Sequence, residues 1–399
     1  MDKKPEKLVP EVRFKGFTDD WEQHKLDALA KFSKGKGYSK KDVTFQGYPL
    51  FLYGRLYTNY SEVVSDVDTY TSNLLEGSAV SNADEVVLPD SGETAEDIAR
   101  ASWINKKGII LGGGLLIIHP DKYLINSGFL SYSLSYGSNH KKLSSYAQGK
   151  SIVHIHSNDL KKLYIFYPSR FNEQSKIFNI LNYLENLITL QQRKMEQLKQ
   201  LKKAMLQQLF VNKNNKQPIL KFKNFRNNWR EYKLSEIVNL EDNKRKPVKA
   251  TERIRGKIPY YGANGIQDYV KGYTHIGKHV LIAEDGANSV DDYPIYFIYS
   301  PSWINNHTHV LTAKEEILSS EFLAYALKKI NYAKYLVGSG RYKLNAEILK
   351  LIPLKIPTMN EQKYIESNLS KIDKLIALQQ NKLTQLTALK KYLLQKLFI

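Results

Sequence analysis

Residues 172–210, NEQSKIFNILNYLENLITLQQRKMEQLKQLKKAMLQQLF, are written a second time at residues 360–398, with 20 of 39 positions identical at a constant offset of 188 and no gap. A tandem duplication therefore organises the chain. Taking every third then fourth residue gives Leu181, Leu184, Ile188, Gln191, Met195, Leu198, Lys202, Met205 and Leu209, and in the copy Leu369, Ile372, Ile376, Gln379, Leu383, Leu386, Lys390, Leu393 and Leu397. Seven of nine are apolar in each copy, and the Gln and Lys interruptions fall at the same places. A 3-4 alternation sustained over about four heptads, with no Pro or Gly inside, is a coiled-coil seam. Each copy predicts a helix of roughly 35 residues, about 52 Å long. One apolar stripe cannot bury itself, so the natural partner of each helix is the other. A buried Gln or Lys costs stability but fixes register.

A second echo lies upstream at another offset. PEVRFKGFTDDWEQHKLDALA, from Pro10, matches PILKFKNFRNNWREYKLSEIV, from Pro218, at an offset of 208. Pro10, Phe14, Lys15, Phe17, Trp21, Lys25 and Leu26 recur as Pro218, Phe222, Lys223, Phe225, Trp229, Lys233 and Leu234. This reads as an extended, aromatic-pinned lead-in followed by a short helix, with the Trp and Phe as core anchors. The chain is then lead-in, globular part, long helix, and the same again. The resulting division is residues 1–168, a first globular domain; 169–211, a central helix; 212–357, a second globular domain; and 358–399, a C-terminal helix. The two middles, residues 27–168 and 235–357, do not align, so each is expected to do one job on a different target.

Length demands more than one domain at 399 residues. The 59 Lys+Arg against 40 Asp+Glu give a formal charge of +19, and 27 Tyr supply contact groups beside that charge, which points to a polyanion. With no Cys, a disulfide framework and a thiolate zinc site are excluded. MDKKPEKLVP has no apolar core of a signal peptide, and the longest apolar run, residues 108–118, is about half a bilayer span. A cytoplasmic protein with no membrane association is expected.

The first middle reads as short strands among loops, at residues 44–54, 62–67, 84–89, 108–118, 128–136 and 151–157, with helical patches at 95–102 and 141–146. The second offers strands at 257–262, 279–284, 294–299 and 308–313 and a helix at 320–334. The fold class is α/β (α+β): two small globular domains, rich in antiparallel or mixed sheet, separated by two long antiparallel helices forming a coiled coil, a pseudo-twofold tandem duplication.

Catalytic motifs fail one by one. Gly149-Lys150-Ser151 lacks the earlier glycine of a phosphate-binding loop, since Ser144 stands there. Gly112-Gly113-Gly114 lacks the spacing of a dinucleotide turn and reads as tight strand packing. No Asn-Pro-Pro-aromatic tetrapeptide of an adenine methyltransferase is present, and Pro89-Asp90 with Glu93 lacks the Lys of a metal nuclease. His154 and His156, and His307 and His309, would each face one side of a strand, while His275 and His279 could share a helical turn. With no acidic ligand fixed beside them, they read as strand residues or phosphate donors rather than a zinc site.

Basic and aromatic residues interleave in two loops. Lys34, Lys36, Tyr38, Lys40 and Lys41 lie in the first domain, and Lys244, Arg245, Lys246, Lys249, Arg253 and Arg255 in the second. Lys and Arg there would neutralise phosphates and make affinity salt-dependent. Base reading needs forked or amide groups on loops. The candidates are Arg55, Glu93, Thr94, Arg100, Gln148 and Lys150 in the first domain, and Asn264, Gln267, Asn288, Arg341 and Lys343 in the second. No catalytic residue and no metal ligand is assigned.

Taken together, the Pro/Phe/Phe/Trp lead-ins, the Asn-Glu-Gln helix starts after Pro168 and Pro357, and the Leu-x-Gln-Gln-x-Lys and Leu-Lys-Lys segments make the whole chain resemble the DNA-specificity subunit of type I restriction-modification systems. The resemblance implies two target recognition domains, each reading one half of a split, asymmetric site on double-stranded DNA, and helices acting as a ruler. It also implies two methyltransferase (modification) subunits and two restriction (motor-nuclease) subunits as partners. Catalysis would then be theirs, with S-adenosylmethionine, ATP and Mg held by those partners and no cofactor in this chain. Gly149-Lys150-Ser151 fits the family's segment before the closing strand, whereas Gly340-Arg341-Tyr342-Lys343 has no hydroxyl at the equivalent place. Two other readings stand beside this one: a stand-alone nuclease or methyltransferase, and a coiled-coil adaptor that binds only protein.

Overall fold

The computed structural model describes residues 9–56, 58–149, 151–211, 215–338 and 342–399. Two compact units emerge. The first runs to Gln192 and adds Asn381–Ile399; the second is Arg193–Gln380. Each long helix is thereby shared: Phe171–Gln208 gives its first part to one unit and its last part to the other, and Met359–Lys396 does the reverse.

The helices follow the seam. Leu181, Leu184, Ile188, Leu369 and Ile372 are buried, and Met195, Leu198, Ile376, Leu383 and Leu386 are half-buried while their neighbours are exposed. In the first unit Lys390 Nζ lies 2.6 Å from Glu185 Oε2. In the second, Lys202 pairs with Asp373. In the first unit Leu181 shares a core with Leu394 and Leu397, and in the second Leu209 shares one with Ile365 and Leu369, so in each unit the start of one long helix packs with the end of the other. Lys390 is the copy of Lys202 and Asp373 the copy of Glu185, so one bond is made twice. The polar seam lysine thus has a fixed acidic partner, which sets the register of a pairing that Leu alone would leave free to slide.

The motif that opens each helix has a mechanical reason. Gln174, fully buried, accepts from Asn126 N–H (2.7 Å) and donates to the carbonyls of Leu124 (3.0 Å) and Pro168 (2.9 Å). Gln362 accepts from Ser319 N–H (2.9 Å) and donates to Ile317 (2.9 Å) and Pro357 (3.0 Å). Each therefore clamps the start of a packed helix, Ser127–Ser135 or Ser320–Leu327, to the long one. The neighbouring acid differs between copies. Glu173 takes a two-pronged bond from Arg13 (2.7 and 2.9 Å), whereas Glu361 receives Trp229 Nε1–H at 3.3 Å.

The lead-in tryptophans are core anchors. Trp21 packs on Phe129 (centroids 5.9 Å), which meets Phe398 (5.8 Å). Trp229 packs on Phe322 (5.8 Å), which stacks on Phe210 (5.3 Å). Each trio takes its last ring from the helix end contributed by the other repeat.

The unlike middles share a sheet. In the first unit the order is Ala30–Lys34, Leu115–Pro120, Val86–Pro89, Ser102–Ile104, Val63–Val64; in the second it is Val238–Leu240, Thr308–Ala313, Lys278–Ala283, Ile295–Tyr299. The first three strands of each are antiparallel to their neighbours. A smaller sheet flanks each, centred on Tyr48–Phe51 and Lys107–Leu111 in the first unit and on Arg255–Gly262 in the second.

One expected strand is a helix. Residues 128–136 alternate apolar and Ser, yet Ser127–Ser135 is helical, capped by Asn126, whose side chain accepts from Phe129 N–H. Burial on every side removes the polar face that periodicity relies on. Its serines are satisfied internally: Ser131 donates to Gly128 O (2.8 Å), Ser133 Oγ accepts from Asn139 (2.6 Å), and Ser135 bonds Ala101. His275 and His279 share no helical turn either. His275 bridges to Ser302 and His279 lies in the strand Lys278–Ala283, their rings 5.5 Å apart.

Candidate nucleic-acid interface

At one end of the first main sheet, backbone bonds gather three loops. Gly35 N–H donates to Leu115 O (3.0 Å), Gly113 N–H to Gly37 O (2.7 Å), Asp90 N–H to Gly114 O (2.9 Å), and Ile155 N–H to Asp90 O (3.1 Å). Gln148 and His154 exchange two bonds (3.0 and 2.8 Å), and the strand Val153–His154 pairs with Ser91–Gly92. Lys34, Lys36, Lys40, Glu93 and Gln148, all exposed, are brought to these loops. Gly112-Gly113-Gly114 is the turn beneath them: a Cβ on Gly113 would sit 2.7 Å from Gly37 O, and Gly114 has φ +80°. Tyr53–Arg55 lies over that turn, since a Cβ on Gly114 would meet the Tyr53 ring at 2.6 Å.

The second unit repeats the plan with other side chains. Val337 and Lys343 exchange two bonds (3.0 and 2.9 Å) and Leu344 N–H donates to Glu284 O (2.7 Å). Asn264 Nδ2 donates to Gly286 O (2.9 Å) and its Oδ1 accepts from Asn288 N–H (2.9 Å). Lys244, Lys246, Asn264, Gln267, Asn288 and Lys343 are exposed around these loops. A Trp not singled out in the sequence, Trp303, fixes the basic loop by donating from Nε1 to Lys246 O (2.7 Å).

Several candidates are placed differently from the expectation. Tyr38 is 7% exposed, and its hydroxyl accepts from Leu75 N–H (2.7 Å) and bonds Ser78 (2.8 Å), so it is a core residue at φ +45°. Arg245, 14% exposed, is spent inside, donating to Glu284 Oε2 (2.7 Å) and Thr308 O (3.0 Å). Arg253 donates to Val248 O (3.1 Å) and lies 4.1 Å above the Tyr260 ring. Thr94 caps the short helix Ala95–Ile98. Arg55 is paired with Asp68, whose carboxyl it holds below the usual range with Tyr60. Arg100 is exposed, and its charge acts on the Tyr136 phenol, which donates to Glu62, itself 3.7 Å from the seam lysine Lys390. Lys150 and Arg341 lie outside the described residues.

The structure also puts acids where the sequence fixed none. Among the described residues, Asp242, Glu284 and His309 bring ligand-type atoms within 4.8 Å of one another. They form an ionic lock. His309 Nδ1 contacts Asp242 Oδ2 (2.5 Å) and Nε2–H donates to Leu344 O (2.7 Å), while Arg245 and Lys343 (3.1 Å) sit on Glu284. Burial pushes the carboxyls of Asp242 and Glu284 up, but the bonds from His309, Val310 N–H, Arg245 and Lys343 outweigh it, so both lie below the usual range. Both ring nitrogens are engaged and two cations already balance the carboxylates, so the cluster is charge-compensated by the protein's own side chains. It anchors the base of the Val337–Lys343 bridge.

No helix among the described residues is long and apolar enough to cross a membrane. The type I restriction modification DNA specificity domain matches twice, at residues 18–200 and 226–388. A Haemophilus influenzae protein carrying the name of a type I restriction enzyme specificity subunit is 48% identical over 129 residues, 32% of this chain and 33% of that one, so the match spans about a third of that relative. The type I restriction enzyme MjaVIII specificity subunit of Methanocaldococcus jannaschii is 23% identical over 410 residues, covering 95% of this chain and 92% of its own. In fold, the chain is similar to the crystal structure of a type I restriction-modification S subunit from M. genitalium, with TM-score 0.71 and 19% identity over 98% of this chain and 99% of that one. Two family domains in tandem, on a duplicated frame of lead-in, sheet and long helix, place this chain in the type I restriction-modification DNA specificity family.

Proposed function

We propose that the chain is the non-catalytic, DNA-reading subunit of a type I restriction-modification complex. Each globular domain reads one half of a bipartite asymmetric site on double-stranded DNA, and the paired helices hold the halves at a set spacing. Two methyltransferase subunits and two motor-nuclease subunits supply the chemistry, with S-adenosylmethionine, ATP and Mg on their side. The observation that carries this reading is the paired architecture: one sheet frame, made twice, presents unlike polar and basic loops at equivalent places. Lys34, Lys36, Lys40, Lys244 and Lys246 would meet phosphates, and Gln148, Glu93, Asn288, Gln267 and Lys343, whose side chains are exposed, would reach base edges. A rod of about 50 Å suffices to span groove faces one or more turns apart, roughly 34 Å each.

The test is methylation-site mapping in cells expressing this chain with its methyltransferase subunits. Four residues inserted after Gln192 and four after Gln380, about 6 Å of helix each, should alter the spacer and leave both half-sites unchanged. Altered half-sites, or methylation without sequence preference in the parent complex, would refute the reading.

A further inference from the structure

The basic loop that follows the first strand of each main sheet holds an apolar side chain far out in water. In the first domain it is Phe45, wholly exposed; in the second it is Ile254, 68% exposed. The two loops share no sequence, yet each has this feature beside its cations: Lys40 and Lys41 near Phe45, Lys249 and Arg255 near Ile254.

Neither residue sits on a loose strap. Before Phe45, the turn Lys40–Asp42 is locked by Asp42, whose carboxylate accepts from Ser39 N–H (2.7 Å) and Oγ–H (3.1 Å). Thr44 N–H donates to Tyr70 O (2.8 Å) and Thr44 Oγ1–H to Gln46 O (2.8 Å). Gly47, at φ +133°, lies so close to the neighbouring strand that a Cβ would stand 2.3 Å from Thr71 O. On the other side, Ile254 O accepts from Lys271 N–H (2.8 Å), and its neighbour Arg253 is tied to Val248 and Tyr260. Leaving a Phe or Ile side chain in water forfeits the stabilisation of burying it, and a fixed loop gives it no way to fold back.

An apolar tip on a rigid, lysine-flanked loop fits one partner in particular. Proteins that deform duplex DNA insert Phe, Leu, Ile or Met between base steps, while neighbouring cations hold the phosphates. We propose that Phe45 and Ile254 are wedges, each entering a base step of the half-site read by its own domain and making specificity depend on how readily that step opens. The proposal rests on the DNA-reading function above and deepens it.

The test uses the full chain in complex with its methyltransferase subunits, on duplexes carrying the mapped site. 2-Aminopurine is placed at successive positions other than the methylated adenine. The parent complex should show a fluorescence rise at one step in each half-site. Phe45→Ala should abolish the rise in the half-site of the first domain only and weaken specific binding about tenfold, with nonspecific binding and thermal unfolding unchanged. Ile254→Ala should do the same in the other half, and Phe45→Leu should keep most of both signals. Unaltered fluorescence and affinity in Phe45→Ala would overturn the wedge, as would an equal loss on nonspecific DNA or a loss of methyltransferase association. A parent complex without sequence-selective binding would instead refute the DNA-reading function itself.

Discussion

Replacing Gln362 by Met keeps the volume of the side chain and removes its three hydrogen bonds. Ser319 N–H and the carbonyls of Ile317 and Pro357 would be left facing an apolar group in a site that is fully buried. At about 1 to 3 kcal/mol for each unsatisfied buried group, and with some relaxation, the loss should be about 3–5 kcal/mol, at the upper end of single-residue effects. With an m-value of about 2 kcal/mol per molar urea, the unfolding midpoint moves down by about 2 M, followed by the fluorescence of Trp229 and Trp303, both in the second unit. Amide exchange should accelerate first in the helix Ser320–Leu327, which loses its tether. Gln174→Met is the internal replicate, with Trp21 and Trp103 as reporters and the helix Ser127–Ser135 as the loosened element. A midpoint shift below about 0.5 M in both variants, or faster exchange spread evenly over the chain, would refute the clamp.

Arg13→Ala should cost about 3 kcal/mol, because the Glu173 carboxylate beneath it is 1% exposed and would be stranded; urea titration checks it, and Arg13→Lys should recover part of the loss. Glu361→Gln should instead stabilise at neutral pH. Burial raises the Glu361 carboxyl above its ordinary value, so its charged form costs stability that is fully present only below the unfolded pKa and is lost as pH rises through the folded one; melting the variant and parent at pH 4 and pH 8 should show the gain at pH 8 alone. The depressed Asp242 and Glu284 act in the opposite sense. Their contribution is present above about pH 4 and disappears as pH falls through the lowered values, so the Trp303 signal should unfold earlier in urea at pH 3 than at pH 6, and Asp242→Asn should flatten that dependence. For the seam, a double-mutant cycle on Lys202→Met and Asp373→Asn should give a coupling of about 1 kcal/mol, since both groups keep some solvent contact. A coupling near zero would remove the ion pair as a register key.

Much of this frame was legible because it rests on local and periodic signals. The 3-4 spacing of Leu181, Leu184, Ile188 and their copies needs only helical geometry to become a buried stripe, and an ungapped repeat makes each helix the other's partner. The lead-in Trp21 and Trp229 read as anchors for the same reason: their companions were apolar. What tertiary structure alone decided is where polar groups spend their bonds. Tyr38, Arg245 and Asn264 carry the side chains a DNA reader would use, yet long-range neighbours claim them: Leu75 and Ser78, Glu284 and Thr308, Gly286 and Asn288. The helix Ser127–Ser135 is not legible in the sequence because near-complete burial erases the polar face that distinguishes period 3.6 from period 2. The common sheet beneath the two dissimilar middles was invisible as well, because backbone pairing and burial specify a sheet through many equivalent apolar choices, leaving no residue identity to align.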